Sequence, residues 1–346
     1  MRKLFLAMIL MHCLIVPAAA SEITAPIVPR SGQDMMPEET GDFGNGILQI
    51  VQKAVHALQP DFRKSIRSCT EILFAALLLS VVSLLIKDYG KGTAVIASVV
   101  ILVLTFRDTD TLIGLSTETV REICEYGKLL CLAMTTALAA QGAVTSSASL
   151  YAGTSLFTAL LGSLISRLYV PLVYFFLLFS AASNALGEEY LRKLADSIKG
   201  FLSWLLKTLL IVFTTYMSIT GVVAGTTDTA ALKAAKVTIS TAVPVVGGIL
   251  SDASEAVLVS MQLMKNAAGI YGILAALAVF LSPFLKVGVQ YLALKLSASL
   301  CGIFASKNIC VLLSDIASAM GLLLGMLAAA CTMVLVSTVC FLRGAG

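Results

Sequence analysis

The chain has 346 residues, of which 58% are hydrophobic and only 13% are charged, and its mean hydropathy is +0.94. In an ordinary soluble protein about a quarter of the residues are charged. The composition therefore excludes a soluble globule and predicts an all-α, multi-pass membrane protein. The net charge is +4, and two of the cations, Arg2 and Lys3, stand at the very N-terminus. No basic surface for nucleic acid is expected.

The inventory of reactive side chains argues against an enzyme. The chain has two histidines, and eight cysteines without a C-x-x-C pair, most of them among apolar residues. We therefore expect no metal site, no cofactor and no catalytic residues. No GxxxxGK[ST] segment occurs, so the chain is not expected to bind a nucleotide as an energy source.

Residues 1–20 have the pattern of a signal peptide. Two cations precede an apolar run of about 13 residues, and the small residues Ala18, Ala19 and Ala20 close the segment. We predict cleavage after Ala20. The alternative is a retained first transmembrane helix, but the run is short for a membrane span and a polar stretch follows at once.

Residues 21–46 contain three prolines and four glycines and are predicted to form a flexible exported linker. Residues 47–70 are predicted to form an amphipathic extracytoplasmic helix region, broken or kinked at Pro60. Its apolar stripe consists of Ile47, Val51, Val55, Leu58 and Phe62. Periodicity leaves two roles open, a helix lying on the outer leaflet or a docking helix for an extracytoplasmic partner.

Residues 71–346 are predicted to form a multi-pass domain with about seven transmembrane helices, six at the fewest and eight at the most. The runs that carry this prediction are 71–87, 92–107, 129–166, 168–186, 208–227, 266–285 and 316–342. The segment 129–166 is interrupted near Gln141 and Gly142, so it is interpreted as one span plus a bent or re-entrant piece.

Charged residues inside or beside apolar runs are candidates for a transport path, although many such side chains only snorkel to the membrane surface. They are Arg167, Lys207, Lys286, Lys295 and Asp315.

Two patterns of small residues predict close helix packing. Gly221 and Gly225 form one GxxxG pair, and Ala317, Gly321, Gly325 and Ala329 form a longer stripe on the last helix. Such stripes either hold a bundle together or join subunits, which leaves a homo-oligomer open.

The segment from residue 240 predicts a broken helix followed by a polar face. Pro244, Gly247 and Gly248 interrupt an apolar stretch. The residues of the polar face recur at spacings of three, seven and three, and they are Asp252, Glu255, Gln262 and Lys265. This face either lines an aqueous path or lies among lipid headgroups as part of an interfacial helix.

The same segment carries a resemblance. Residues 243–255 read VPVVGGILSDASE, residues 263–267 read LMKNA, and residues 168–174 read LYVPLVY. These blocks resemble the stage III sporulation protein AE family of endospore-forming bacteria.

The resemblance implies a protein made in the mother cell and placed in the membrane around the engulfed forespore. Its implied partners are the other stage III A-operon products and stage II sporulation protein Q, in a channel or feeding-tube complex required for endospore formation. Its implied role is permease-like, channel-forming or scaffolding. Membrane lipid is expected to surround the protein and to contact it directly. The alternative, from the broken helix and the intramembrane charges, is a stand-alone secondary transporter of a small solute.

Overall fold

The computed structural model describes residues 26–37, 43–85, 90–242 and 247–343, without the side chains of 83–85, 90, 91, 93, 94, 221–242 and 247–265. Every regular element in the described residues is a helix. The elements are α1 Arg30–Gln33, α2 Phe43–Ala57, α3 Gln59–Leu85, α4 Gly90–Ala140, α5 Val144–Leu164, α6 Val170–Leu186, α7 Glu189–Ala242, α8 Gly247–Cys301 and α9 Lys307–Arg343. A π-helical turn, Ile165–Tyr169, joins α5 to α6. The predicted leader and its cleavage position, Ala20, lie outside the described residues.

Within the described residues, five helices are long and apolar enough to cross a membrane, which confirms the all-α, multi-pass prediction. They are Gln59–Val82, Val144–Leu186, Glu189–Thr220, Asn266–Cys301 and Lys307–Arg343.

Two of the seven predicted spans have no separate counterpart among these five helices. Residues 144–186 form one helix of 43 residues, so the predicted spans 129–166 and 168–186 are largely one element. The run 92–107 belongs to α4, and because the side chains of residues 93 and 94 are outside the described residues, this span stays a prediction.

The 43-residue helix contains its own irregularity. At 1.5 Å per residue it is about 65 Å long, which is roughly twice the thickness of a bilayer's hydrocarbon core. Its π-turn ends at Tyr169, two residues before Pro171, which has no N–H to donate to the carbonyl of Arg167. The π-turn places an extra residue where the regular hydrogen-bond ladder is interrupted.

Helix α9 lies at the centre of the bundle and packs against α8, α4, α7 and α6. In the most apolar 18-residue stretch of α9, 61% of the residues are buried, whereas 28% are buried in the corresponding stretches of α3 and α7. A helix that is apolar on nearly all sides gains most from a central position, because its neighbours cover most of its surface. The remaining helices surround α9 and leave their outer faces free.

Residues 26–37, which lie within the predicted linker, pack against α8. Val28 is buried, and a Cβ placed on Gly32 would lie 2.6 Å from Cγ2 of Val279. Lys53 of α2 donates from Nζ to the carbonyl of Met36 over 2.6 Å. A segment rich in proline and glycine has no core of its own, but here α8 supplies the apolar surface.

Helix α2 docks onto α8 through one narrow face with two small residues and one isoleucine. Gly46, Ile50 and Ala54 are buried, and Ile50 clusters with Leu274 and Ala278 of α8. The predicted apolar stripe largely faces outward, since Val51, Val55 and Phe62 are 42%, 54% and 52% exposed. Small residues allow the two helix backbones to approach closely. The chain breaks beside Pro60, as predicted, because α2 ends at Ala57 and α3 begins at Gln59.

Candidate functional site

A buried carboxylate lies where α6, α7 and α9 meet. The side chain of Asp315, on the third turn of α9, is 5% exposed. Its Oδ2 accepts hydrogen bonds from the hydroxyl of Ser180 on α6 and from Nη1 of Arg192 on α7. Arg192 also donates from Nε to Asp196 over 3.2 Å. The ion pair and the serine hydroxyl therefore join α9 to α6 and α7, which lie more than 100 residues earlier in the sequence. We call it the Arg192–Asp315 junction.

The turn between α6 and α7 positions this junction. Gly187 adopts a left-handed φ of +74°, and its N–H donates to the carbonyl of Ser183 over 2.9 Å. Because glycine has no Cβ, this conformation is available to it without steric strain. Helix α7 begins two residues later, so Arg192 on its first turns lies beside the last turns of α6.

Two amides tie the same corner together. Asn184 donates from Nδ2 to the carbonyl of Ser180 over 2.8 Å, and Asn308 of α9 donates to the carbonyl of Asn184 over 3.3 Å. The start of α9 is thereby held against the end of α6.

The sequence identified one half of this junction. Asp315 was predicted as an intramembrane charge, and the structure gives it a partner. Arg192 was not singled out, because residues 188–200 carry mixed charges in similar numbers and read as an ordinary amphipathic connector. Removing Arg192 would leave the Asp315 carboxylate without an ion-pair partner in a site with little water, whereas removing Asp315 would leave Arg192 with Asp196 and partial hydration.

A second polar cluster joins α3, α4 and α8 around a cavity of about 260 Å³. Lys64 pairs with Asp108 over 2.8 Å, and Lys286 pairs with Asp61 over 3.3 Å. The hydroxyl of Ser65 donates to Oε1 of Gln290 over 2.9 Å. Two cations and two anions make these pairs neutral overall. We call this the α3–α8 charged cavity.

The predicted polar path and helix break lie mostly outside what the structure describes. Asp252, Glu255, Gln262 and Lys265 belong to the first turns of α8, and their side chains are outside the described residues. Pro244 is outside the described residues too. Gly247 and Gly248 are the first two residues of α8, and α7 ends at Ala242. The role of this segment stays a prediction.

The predicted small-residue stripe on α9 divides into two parts. Ala317 and Ala329 are buried, with exposures of 0% and 1%. Gly321 is half-buried, and Gly325 is exposed. A Cβ on Gly321 would lie 3.5 Å from the ring of Tyr291, and one on Gly325 would lie 3.7 Å from Leu206. Both are ordinary contact distances, so neither glycine is required by tight packing.

Tight packing occurs at glycines that the sequence did not single out. A Cβ on Gly127 would lie 2.7 Å from Cγ2 of Val334, and one on Gly272 would lie 2.5 Å from Cδ2 of Leu130. These contacts bring α4 against α9 and α8. Neither glycine has a GxxxG partner, although Ala268 and Ala276 lie four residues to either side of Gly272.

No group of three or more His, Cys, Asp or Glu side chains in the described residues is arranged to hold a metal ion. The cysteines there are free thiols. Burial raises the pKa of Cys124, in the charged middle section of α4, to about 12, so this thiol is protonated at neutral pH and a poor nucleophile. On the adjacent turn, a hydrogen bond from Arg121 to Glu118 raises the pKa of the guanidinium further.

Comparison with known proteins places the chain in a family. The profile of the stage III sporulation protein AE family matches residues 32–344. Stage III sporulation protein AE of Bacillus subtilis (strain 168) is 24% identical over 205 residues, which cover 59% of this chain and 51% of that protein. The chain thus spans about half the length of this curated relative. No solved structure matches. The resemblance seen in the sequence is confirmed: the chain belongs to the stage III sporulation protein AE family.

Proposed function

We propose that this protein is an integral membrane subunit of the channel complex that connects mother cell and forespore during endospore formation. The observation that carries the proposal is the family match over residues 32–344. The five apolar helices support a multi-pass membrane location. In this proposal the protein lies in the mother-cell membrane around the forespore, and its partners are other stage III A-operon proteins and stage II sporulation protein Q.

The proposed role is permease-like, channel-forming or scaffolding, without catalysis by this chain. Two arrangements support it. The Arg192–Asp315 junction joins three helices around a buried ion pair. The α3–α8 charged cavity places charged side chains between three other helices or parts of helices. Charges in such positions are typical of solute paths and of the contacts that hold path-lining helices together.

The test is genetic. The gene is deleted in frame in its own host and restored from a promoter active only in the mother cell, and heat-resistant spores are counted. The matched control restores the same gene from a promoter active only in the forespore. We expect loss of spores on deletion and rescue only by mother-cell expression. Normal sporulation without the gene would contradict the proposal.

A second candidate is a stand-alone secondary transporter of a small solute. The α3–α8 charged cavity favours it, since Lys64, Lys286, Asp61 and Asp108 offer both signs of charge to a ligand. This candidate predicts solute uptake by the purified protein alone in vesicles. It also predicts that uptake is lost when Asp61→Asn and Lys286→Met are combined, which removes one ion pair without changing net charge. Uptake that survives this change would contradict it.

A further inference from the structure

One face of α9 remains open between α7 and α8. Ser314, Ser318, Gly321 and Gly325 recur at spacings of four, three and four, so they share a face of the helix. The serines and Gly321 are half-buried and Gly325 is exposed, whereas most other residues between 312 and 330 are buried. We call this surface, defined by these four residues, the α9 groove.

Helices α7 and α8 form the two walls of the groove. Lys295 of α8 donates from Nζ to the hydroxyl of Ser314 over 3.0 Å, and Lys199 of α7 donates to the hydroxyl of Ser318 over 3.0 Å. Further along, Tyr291 of α8 lies beside Gly321 and Leu206 of α7 lies beside Gly325. The groove is therefore cationic at one end and apolar at the other.

The charges at the cationic end are not balanced. The nearby cation Arg192 is paired with Asp315 and Asp196. Within the part of the chain that the structure describes, Lys199 and Lys295 have no ion-pair partner and donate to serine hydroxyls instead. A half-buried ammonium bonded to a neutral group attracts an anion strongly, because water screens it only in part.

The position of the groove along the helices indicates where this anion would come from. On α9, the uncharged run 316–342 begins between Ser314 and Ser318, and both glycines lie inside it. Lys199 precedes the run 208–227 of α7, and Lys295 follows the run 266–285 of α8. The lysines thus lie beyond the ends of the apolar runs, toward the headgroup level, and the glycines lie toward the hydrocarbon.

We propose that the α9 groove binds an anionic phospholipid. Its phosphate lies between Lys199 and Lys295, and one acyl chain follows the surface left by Gly321 and Gly325. A free phosphate ion would bind the two lysines, but it would not cover the apolar surface beside Gly321 and Gly325. Because Gly321 and Gly325 have no side chains, they leave a surface that a flexible hydrocarbon chain can cover.

The experiment measures lipid preference by native mass spectrometry on the purified, delipidated full chain. Phosphatidylglycerol and phosphatidylcholine with identical acyl chains compete at equal concentration. We expect the chain to retain phosphatidylglycerol preferentially. The double variant Lys199→Ala/Lys295→Ala should lose about 30-fold in that preference, because each lysine at a membrane surface contributes roughly fivefold to binding of an anionic lipid.

Two further variants test the geometry. Lys128→Ala/Lys193→Ala removes the same charge from exposed positions outside the groove and should leave the preference unchanged. Gly325→Leu keeps both lysines and fills the apolar end, and it should weaken phosphatidylglycerol binding. If the lysine double variant fails to fold, Lys199→Arg/Lys295→Arg, which keeps the charge, and Gly325→Leu still provide the test.

Several results would overturn the proposal. One is equal retention of the two lipids by the wild-type chain, and another is an unchanged preference in the lysine double variant. Competition by inorganic phosphate as effective as that of the lipid would assign the lysines to a free anion. Cross-linking of a cysteine at position 325 to another protein, independent of added lipid, would assign the groove to a partner helix.

Discussion

The Arg192–Asp315 junction predicts an unequal response to mutation of its two charges. Asp315 is 5% exposed, while Arg192 is 34% exposed and has Asp196 as a second partner at 3.2 Å. Arg192→Met leaves a carboxylate in a buried site with the hydroxyl of Ser180 as its remaining donor in the described residues. Asp315→Asn leaves a guanidinium that water and Asp196 still reach.

The magnitudes follow from these exposures. Removing one partner of a buried ion pair costs about 3–5 kcal/mol, and we expect Arg192→Met to lower the free energy of unfolding by that amount. For Asp315→Asn the expected loss is about 1–2 kcal/mol, because the guanidinium keeps a partner and partial hydration. The double variant Arg192→Met/Asp315→Asn should be more stable than Arg192→Met alone, since it leaves neither charge of the pair in the buried site.

The assay is unfolding of the purified protein from mild detergent by added dodecyl sulfate, followed by circular dichroism. Lys193→Met is the control, because Lys193 and Glu189 form a pair that is 75% and 83% exposed. Such a pair is worth about 0–1 kcal/mol. Equal destabilisation by Asp315→Asn and Arg192→Met would contradict this prediction. So would a double variant whose loss in free energy of unfolding equals the sum of the two single losses.

Three other predictions concern separate parts of the molecule. Asp252→Ala with Glu255→Ala should lower spore yield while the protein still inserts and accumulates, and a full yield would reduce 252–265 to a connector. Gly127→Ala should destabilise the protein by about 1–3 kcal/mol through overpacking against Val334, whereas the exposed Gly114→Ala should stabilise it by about 0.5–1 kcal/mol, both measured in the same unfolding assay. In a variant with the other cysteines replaced, Cys124 should resist maleimide at pH 7–8 in the folded protein, because burial raises the pKa of its thiol to about 12. The thiol should react once the protein is denatured, and fast labelling of the folded protein would contradict this prediction.

The composition of the chain was enough to predict the fold class. A chain with 58% hydrophobic residues must satisfy its backbone hydrogen bonds within the membrane, and helices achieve this locally. The family was also readable, because the block 243–255 keeps its order of residues regardless of how the chain folds. The break beside Pro60 followed from the missing N–H of proline.

Which residues contact one another depends on how the helices pack, and the sequence pattern did not predict it. Asp315 could be identified alone, because a carboxylate next to an apolar run is unusual, but Arg192 lies 123 residues away and periodicity has no information over that distance. The N-terminal residues 26–37 have no core of their own, so their packing depends on the apolar surface that α8 offers.

The stripe on α9 shows the same division. Spacing placed Ala317, Gly321, Gly325 and Ala329 near one another on the helix, and that follows from 3.6 residues per turn. Spacing does not specify which neighbouring helix covers each direction around α9. In the folded bundle the alanines are buried, and the glycines face the gap between α7 and α8. The positions of α7 and α8, set by long-range packing, determine which side of the stripe stays open.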